Sequence, residues 1–146
     1  MIRLVKVTKE NWQECVNLPT SEAHRWVATN VYSIAEAQFY PKADACCIYA
    51  NQQMVGFILY GLDEEDETML WIDRLMIAEP HRGQGLGTAV LWKIIQEATT
   101  RGVSRVGLST APVNIPAKRV YENVGFQATG TKSGDEDIYH YPIPKP

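Results

Sequence analysis

Leu70-Trp71-Ile72-Asp73-Arg74-Leu75-Met76-Ile77 is apolar except for its two central charges, and it leads into Glu79-Pro80-His81-Arg82-Gly83-Gln84-Gly85-Leu86-Gly87. A short apolar run closed by glycines reads as a buried strand. Directly after the glycines, Leu86, Val90, Leu91, Ile94, Ile95 and Ala98 recur at helical spacing, with Lys93, Gln96 and Glu97 opposite. Residues 71–100 therefore read as strand, glycine-rich turn and helix, with Gly102 as the stop and Arg101 in the last turn. Such a turn aims unpaired backbone N–H groups and the positive end of a helix dipole at one point. That point suits an anion, above all a phosphate, and glycine keeps Cβ atoms out of its way. Thr88 stands where a Rossmann fingerprint needs glycine, and the Gly-Lys-Ser/Thr of a Walker loop is absent.

Outward from this stretch, 146 residues at 45% hydrophobic and 21% charged suit one globular domain, 1–146, with a core of its own. The longest apolar run, Met54 to Leu62, is too short to span a bilayer, and the N-terminus does not lead into a signal-peptide core. A cytoplasmic protein with no membrane partner is expected. Cys15, Cys46 and Cys47 make neither a disulfide framework nor a zinc pattern, so buried reduced thiols are expected and no metal. The net charge of -3 and the lack of a basic cluster argue against nucleic acid. Asp63-Glu64-Glu65-Asp66-Glu67 alone carries five negative charges, leaving the rest of the chain two positive.

In chain order, Ile2 to Val7 suggests a first strand, and Thr8 an N-cap for a short helix ending near Leu18-Pro19. The stretch 20–32 is mixed. Ser33, with Glu36 completing a capping box, opens a helix to Phe39 that Pro41 closes. Residues 45–50 and 54–60 read as a hairpin joined by Asn51-Gln52-Gln53, a loop of three residues. Residues 105–109 form a strand after the long helix, which makes a parallel pair with a crossover helix. Asn114 and Pro116 then open a helix whose apolar face is Ala117, Val120, Tyr121 and Val124, with Gly125 as cap. A last pair of strands is expected at 127–130 and 138–141, joined by 131–137, with a loosely ordered tail.

Arg82-x-x-Gly85-x-Gly87, placed between an apolar strand and an amphipathic helix, resembles the acetyl-CoA signature of the GNAT N-acetyltransferase superfamily. Asn114-x-x-Ala117-x-x-x-Tyr121-x-x-x-Gly125-Phe126 is similar to that superfamily's second signature and stands in its place in the order of elements. With Trp71-x-Asp73-Arg74, the chain looks most like the bacterial spermine/spermidine acetyltransferases. The resemblance implies an α/β (α+β) fold: a mixed, mainly antiparallel twisted sheet with a splayed parallel strand pair, flanked by helices. It also implies direct transfer of acetyl from acetyl-CoA to a primary amine. Leu75, Met76 and Ile77 would pair with the pantetheine arm as an added strand. Arg82, Gly83, Gln84, Gly85, Leu86, Gly87 and Thr88 would hold the pyrophosphate, with Asn114 and Ala117 on the other side.

An alkylamine with a pKa of about 10.4 must lose a proton before it attacks. The same resemblance makes Asp73 the candidate base, since polyamine-specific relatives carry a carboxylate, usually Glu, at this place on the strand. The shorter Asp implies a water relay, and period two sets it on one strand face with Trp71 and Leu75. Its alternative is an ion pair with a neighbouring strand or with Arg74. Tyr121 is the candidate proton donor to the departing thiolate; its alternative is a core aromatic. The acids at 63–67 and 135–137 would steer a small cationic amine, with a polyamine the expected partner, unless they are merely solvated loop. Trp26, Tyr32, Tyr40 and Trp71 either flank an ammonium or pack in the core. His24, His81 and His140 read as structural. Another amine acceptor (protein lysine, peptide N-terminus, aminoglycoside) and a noncatalytic coenzyme-binding module stay open, as does the oligomeric state, a homodimer included.

Overall fold

In a computed structural model, which describes residues 1–20 and 29–145, the elements run β1 (Ile2–Lys6), α1 (Trp12–Val16), α2 (Asn30–Ala37), β2 (Ala43–Ala50), β3 (Gln53–Leu62), β4 (Met69–Ile77), α3 (Leu86–Arg101), β5 (Arg105–Thr110), α4 (Ile115–Val124), β6 (Gln127–Ser133) and β7 (Glu136–Pro142). The described strands form one sheet in the order β1-β2-β3-β4-β5-β7-β6. Every neighbouring pair is antiparallel except β4 and β5, which α3 links as a parallel pair. The mixed, mainly antiparallel sheet expected from the sequence is therefore present.

Each face of the sheet carries its own core. On one, Val90, Leu91, Ile94 and Ile95 of α3 and Val124 of α4 pack on Ile48, Ile58, Leu70, Ile72 and Val106. On the other, Cys15 of α1 and Ile34 of α2 pack on Cys47, Phe57, Leu59 and Met76. β3 feeds both cores, which is why its sequence is continuously apolar rather than alternating. Burying each such Leu, Ile or Phe contributes about 1.5–3 kcal/mol. All three cysteines are buried free thiols.

Several boundaries differ from the sequence reading. The β2–β3 hairpin closes with two residues, Asn51 and Gln52, both at positive φ (50° and 72°), and Gln53 already pairs with Ala50. Two successive left-handed residues match the strand twist, and asparagine tolerates the first of them. Thr29, not Ser33, caps α2: its side chain accepts from the Tyr32 N–H at 3.2 Å, while Ser33 is buried one turn in. The earlier start lets the Asn30 amide reach the Cys15 carbonyl at 2.9 Å. Thr8 opens the turn before α1, but the regular helix begins only at Trp12. β6 and β7 extend to a tight turn at Gly134, whose φ is 57°. The tail is docked at its start, where Ile143 is buried and its N–H bonds the Ser104 carbonyl at 2.9 Å.

Gly56 on β3 leaves no room for a side chain, since a Cβ there would stand 2.2 Å from the Met76 carbonyl oxygen of β4. Backbone cannot yield as a side-chain tip does. Gly56→Ala should lower stability by about 1–3 kcal/mol, the usual cost of overpacking, read as an earlier urea midpoint with an unchanged slope.

Candidate active site

The site begins with an irregularity in β4. Arg74 pairs with Leu59 and Ile72 with Tyr60, so Asp73 has no partner on β3 and is the extra residue of a bulge. A bulge bends its strand and raises the local twist. The pairing of β4 with β5 ends at Ile72 and Leu108, although the strands continue to Ile77 and Thr110. The two strands part there, leaving a gap. The bulge also corrects the facing: Trp71 and Asp73 share a cavity, but Leu75 packs with Leu70 and Ile72 on the other side of the sheet. Period two fails across an inserted residue.

A groove of about 500 Å³ runs beside the parted end of β4. Leu75, Met76 and Ile77 line it together with α4, through Asn114, Ala117, Val120 and Tyr121, and with Val16, Asn30 and Val31 on the far side. One end is the glycine turn. Gly83 and Gly85 have φ of 77° and 76°, and an added Cβ would meet nothing within 4 Å at either. Gly85 is the N-cap of α3 and no side chain caps the helix, so its first N–H groups are left for a ligand. Arg82 Nε donates to the Ile77 carbonyl at 2.9 Å and ties the turn to the strand end. Every coenzyme-contact residue expected from the sequence lines this groove except Gln84, which is exposed outside it between the two left-handed glycines. His81, expected to be structural, lines it as well.

A second cleft of about 570 Å³ fills the gap between the parted strands. It shares Leu75, Asn114, Ala117 and Tyr121 with the groove, so the two spaces meet at these residues. Asn114 keeps its capping role, its Oδ1 accepting from the Ala117 N–H at 3.3 Å. Burial, and then the negative charge of Glu136, push the Tyr121 hydroxyl up to about 12. The phenol therefore keeps its proton throughout the neutral range, as a donor must.

Asp73 is exposed to solvent along the cleft, with protein packed around part of its carboxylate. That desolvation raises its pKa to about 6; Arg74 opposes the rise, Glu36 and Asp63 add to it, and a hydrogen bond from the Trp71 side chain opposes it. Arg74 is not the simple ion-pair partner offered as the alternative for Asp73. Its Nη1 donates to the Asp73 backbone carbonyl at 2.6 Å and its Nη2 lies 4.0 Å from Glu36 Oε1.

A third cavity, of about 300 Å³, adjoins the cleft through Trp71 and Asp73 and is lined by Glu36, Tyr40, Asp63, Glu64 and Glu65. The acidic loop is thus divided. Asp66 pairs with Arg105 and Glu67 with Lys42 at 2.9 Å, as scaffold, while Asp63, Glu64 and Glu65 face the cavity. Tyr40 and Trp71 line it, Tyr32 is exposed on α2, and Trp26 and His24 lie outside the described residues. His140, on β7, is held below the ordinary histidine range by burial and by Arg105. Sequence reasoning missed Glu36 and Ser109 as lining residues, while Glu136, expected with its neighbours only as a long-range steering acid, lines the cleft itself. Glu36 stands on a helix whose start was misplaced, and Glu136 was assigned to a loop. Among the described residues, no three or more His, Cys, Asp or Glu are grouped to hold a metal, and no helix is long and apolar enough to cross a membrane.

Comparison with known proteins agrees with this geometry. The chain is 38% identical over 89 residues to a spermine/spermidine N(1)-acetyltransferase of Bacillus subtilis, covering 57% of this chain and 59% of that relative. The chain thus matches little more than half the length of that relative. It superposes on the ribosomal-protein-S18-alanine N-acetyltransferase of Escherichia coli with a TM-score of 0.74 at 21% identity, covering 100% of this chain and 96% of the other. An aminoglycoside acetyltransferase solved with coenzyme A gives a TM-score of 0.77 at 19% identity, covering 96% and 93%. These structural likenesses, all at low identity, concern the fold. The sequence profile of the acetyltransferase (GNAT) family matches residues 7–126, and with the uncapped glycine turn beside a parted β4–β5 pair, the chain belongs to that family.

Proposed function

We propose that this protein is an acetyl-CoA-dependent N-acetyltransferase whose acceptor is a small polycationic amine. The observation that carries the reading is the meeting of two spaces at Tyr121: a groove ending in uncapped N–H groups, and a cleft walled by a carboxylate. The groove fits the coenzyme. Its glycine turn leaves room and donors for a pyrophosphate, and β4 beyond Ile72 has no strand paired on the β5 side, so it offers an edge for an extended arm.

Acetyl-CoA, when bound, supplies the acetyl group as a thioester. The chain's own residues then do two things. Asp73 takes a proton from the incoming ammonium, through a water, and its raised pKa of about 6 makes it a stronger base than an ordinary carboxylate. Tyr121 holds a proton at its hydroxyl for the sulfur that departs. The acceptor class rests on charge. Glu36, Asp63, Glu64, Glu65 and Asp73 line a cavity to which no described basic residue contributes, so the approach to the cleft attracts cations at long range. The name of the Bacillus subtilis relative points the same way.

The direct test is release of free coenzyme thiol from acetyl-CoA with spermine, spermidine, a lysine peptide and an aminoglycoside at low and moderate salt. Polyamines should turn over fastest, and their advantage should shrink as salt screens the acidic approach. Turnover of another amine alone removes the polyamine assignment, and no turnover with intact coenzyme binding removes the catalytic one. Tyr121→Phe should cut kcat by about 10²-fold or more while coenzyme affinity, measured by calorimetry, stays within about twofold. In the unchanged protein, kcat/KM should rise with pH through about 6 as Asp73 loses its proton. Glu36→Gln removes a charge that raises this pKa, so it should shift that limb to lower pH; a shift upward or none would remove Asp73 as the titrating base.

A further inference from the structure

Asp135-Glu136-Asp137 leads into β7, and strand alternation sends the side chains of Glu136 and Asp137 to opposite faces. Asp137 is neutralised on its face: Lys118 Nζ lies 3.0 Å from one carboxylate oxygen and Lys132 Nζ 2.8 Å from the other. Glu136 faces the cleft instead, half-buried in its wall. Its Oε1 accepts a hydrogen bond of 2.6 Å from Ser109 Oγ, and no described Lys, Arg or His pairs with it. Its negative charge reaches far enough to act on the Tyr121 hydroxyl. A partly desolvated carboxylate with one oxygen fixed and no counter-ion carries a cost that an entering cation would offset.

The surroundings limit what that cation is. Among the described residues lining the cleft, Arg74 is the one basic side chain, and it is held toward Glu36 and the Asp73 backbone carbonyl. Asp73, on β4, lines the same cleft, with Tyr121 also in its wall where cleft and groove meet. The cleft is walled by carboxylates from strands that lie on either side of β5. A simple monoamine placed at Asp73 leaves Glu136 uncompensated; an amine with a second charge does not.

We propose that Glu136, held by Ser109, binds a second ammonium of the acceptor, the one that does not react, and thereby sets a preference for amines carrying two or more positive charges. The inference rests on the acetyltransferase reading and names the residue that selects within it. Asp73 serves the amine that is acetylated, and Glu136 anchors the other. Ser109 is a positioning residue: its donated hydrogen bond fixes one carboxylate oxygen and leaves the second for the ligand.

Hexamethylenediamine and hexylamine, matched in carbon length and differing by one charge, separate this role from a structural one. For hexamethylenediamine, Glu136→Gln should raise KM about tenfold or more with kcat within about twofold, as expected when one partner of a partly buried charge pair is lost. KM for hexylamine should rise far less, because it has no second ammonium to lose its partner. Glu136→Asp should restore part of the diamine affinity, and Ser109→Ala should give a smaller rise of the same selectivity. Equal rises for both amines, or none for the diamine, would overturn the assignment while leaving the acetyltransferase reading intact. If the unchanged protein binds the coenzyme but turns over no amine, the reading itself fails and this inference with it.

Discussion

β4 cannot stay paired on both sides along its whole length. Asp73 is one residue too many for the register with β3, and the strand absorbs it by bending. From that point the hydrogen-bond donors and acceptors that would have met β5 have no strand opposite them. A buried edge of this kind is unfavourable unless something covers it. Both spaces of the candidate site follow: the groove beside Leu75 to Ile77, and the cleft between the parted strands. The same extra residue places a carboxylate at the apex. Because it must be stabilised against the loss of one strand's pairing, the site is built where β3 and the α3-side core hold the first half of β4, with Leu70 and Ile72 fully or almost fully buried.

Charge is distributed by the same logic. Wherever an acid serves the scaffold it has a cation: Asp66 with Arg105, Glu67 with Lys42, Asp137 with Lys118 and Lys132, Glu97 with Arg101. Exposed pairs of this sort add little stability singly. What they do is leave Asp63, Glu64, Glu65, Asp73 and Glu136 without a described ion-pair partner around the cleft and the cavity beside it, with Glu36 no nearer than 4.0 Å to Arg74. Desolvation first, and nearby negative charge second, raise the Asp73 and Tyr121 pKa values together, one toward neutrality and the other away from it. Base and acid are thus set apart by their surroundings rather than by residue type alone.

Much of this was legible in the residues. The glycine turn, the long amphipathic helix, the capping Asn114 and the strand order strand-helix-strand depend on local rules, and all are found where the sequence indicated. Where local rules compete, the reading slipped. Thr29 and Ser33 are both sound caps, and the choice went to the one that lets Asn30 bond the Cys15 carbonyl across to α1. Glu136 looked like loop because its acidic neighbours have poor strand propensity, whereas pairing with Ser133 draws it into β7.

By itself the sequence determined the periodicities, the turn and cap chemistry, and the two spaced motifs that mark the family, since each is a matter of residue types a few positions apart. The tertiary structure alone decided which residues face each other. The bulge that moves Leu75 to the face opposite Asp73 is a register event between two strands and has no signature in either. Likewise the division of the acids into paired and unpaired sets depends on which lysine or arginine arrives from elsewhere in the chain, as Arg105 does for Asp66 and Lys118 for Asp137. Electrostatic environment is a property of distances through space, and those are fixed only when the sheet has closed.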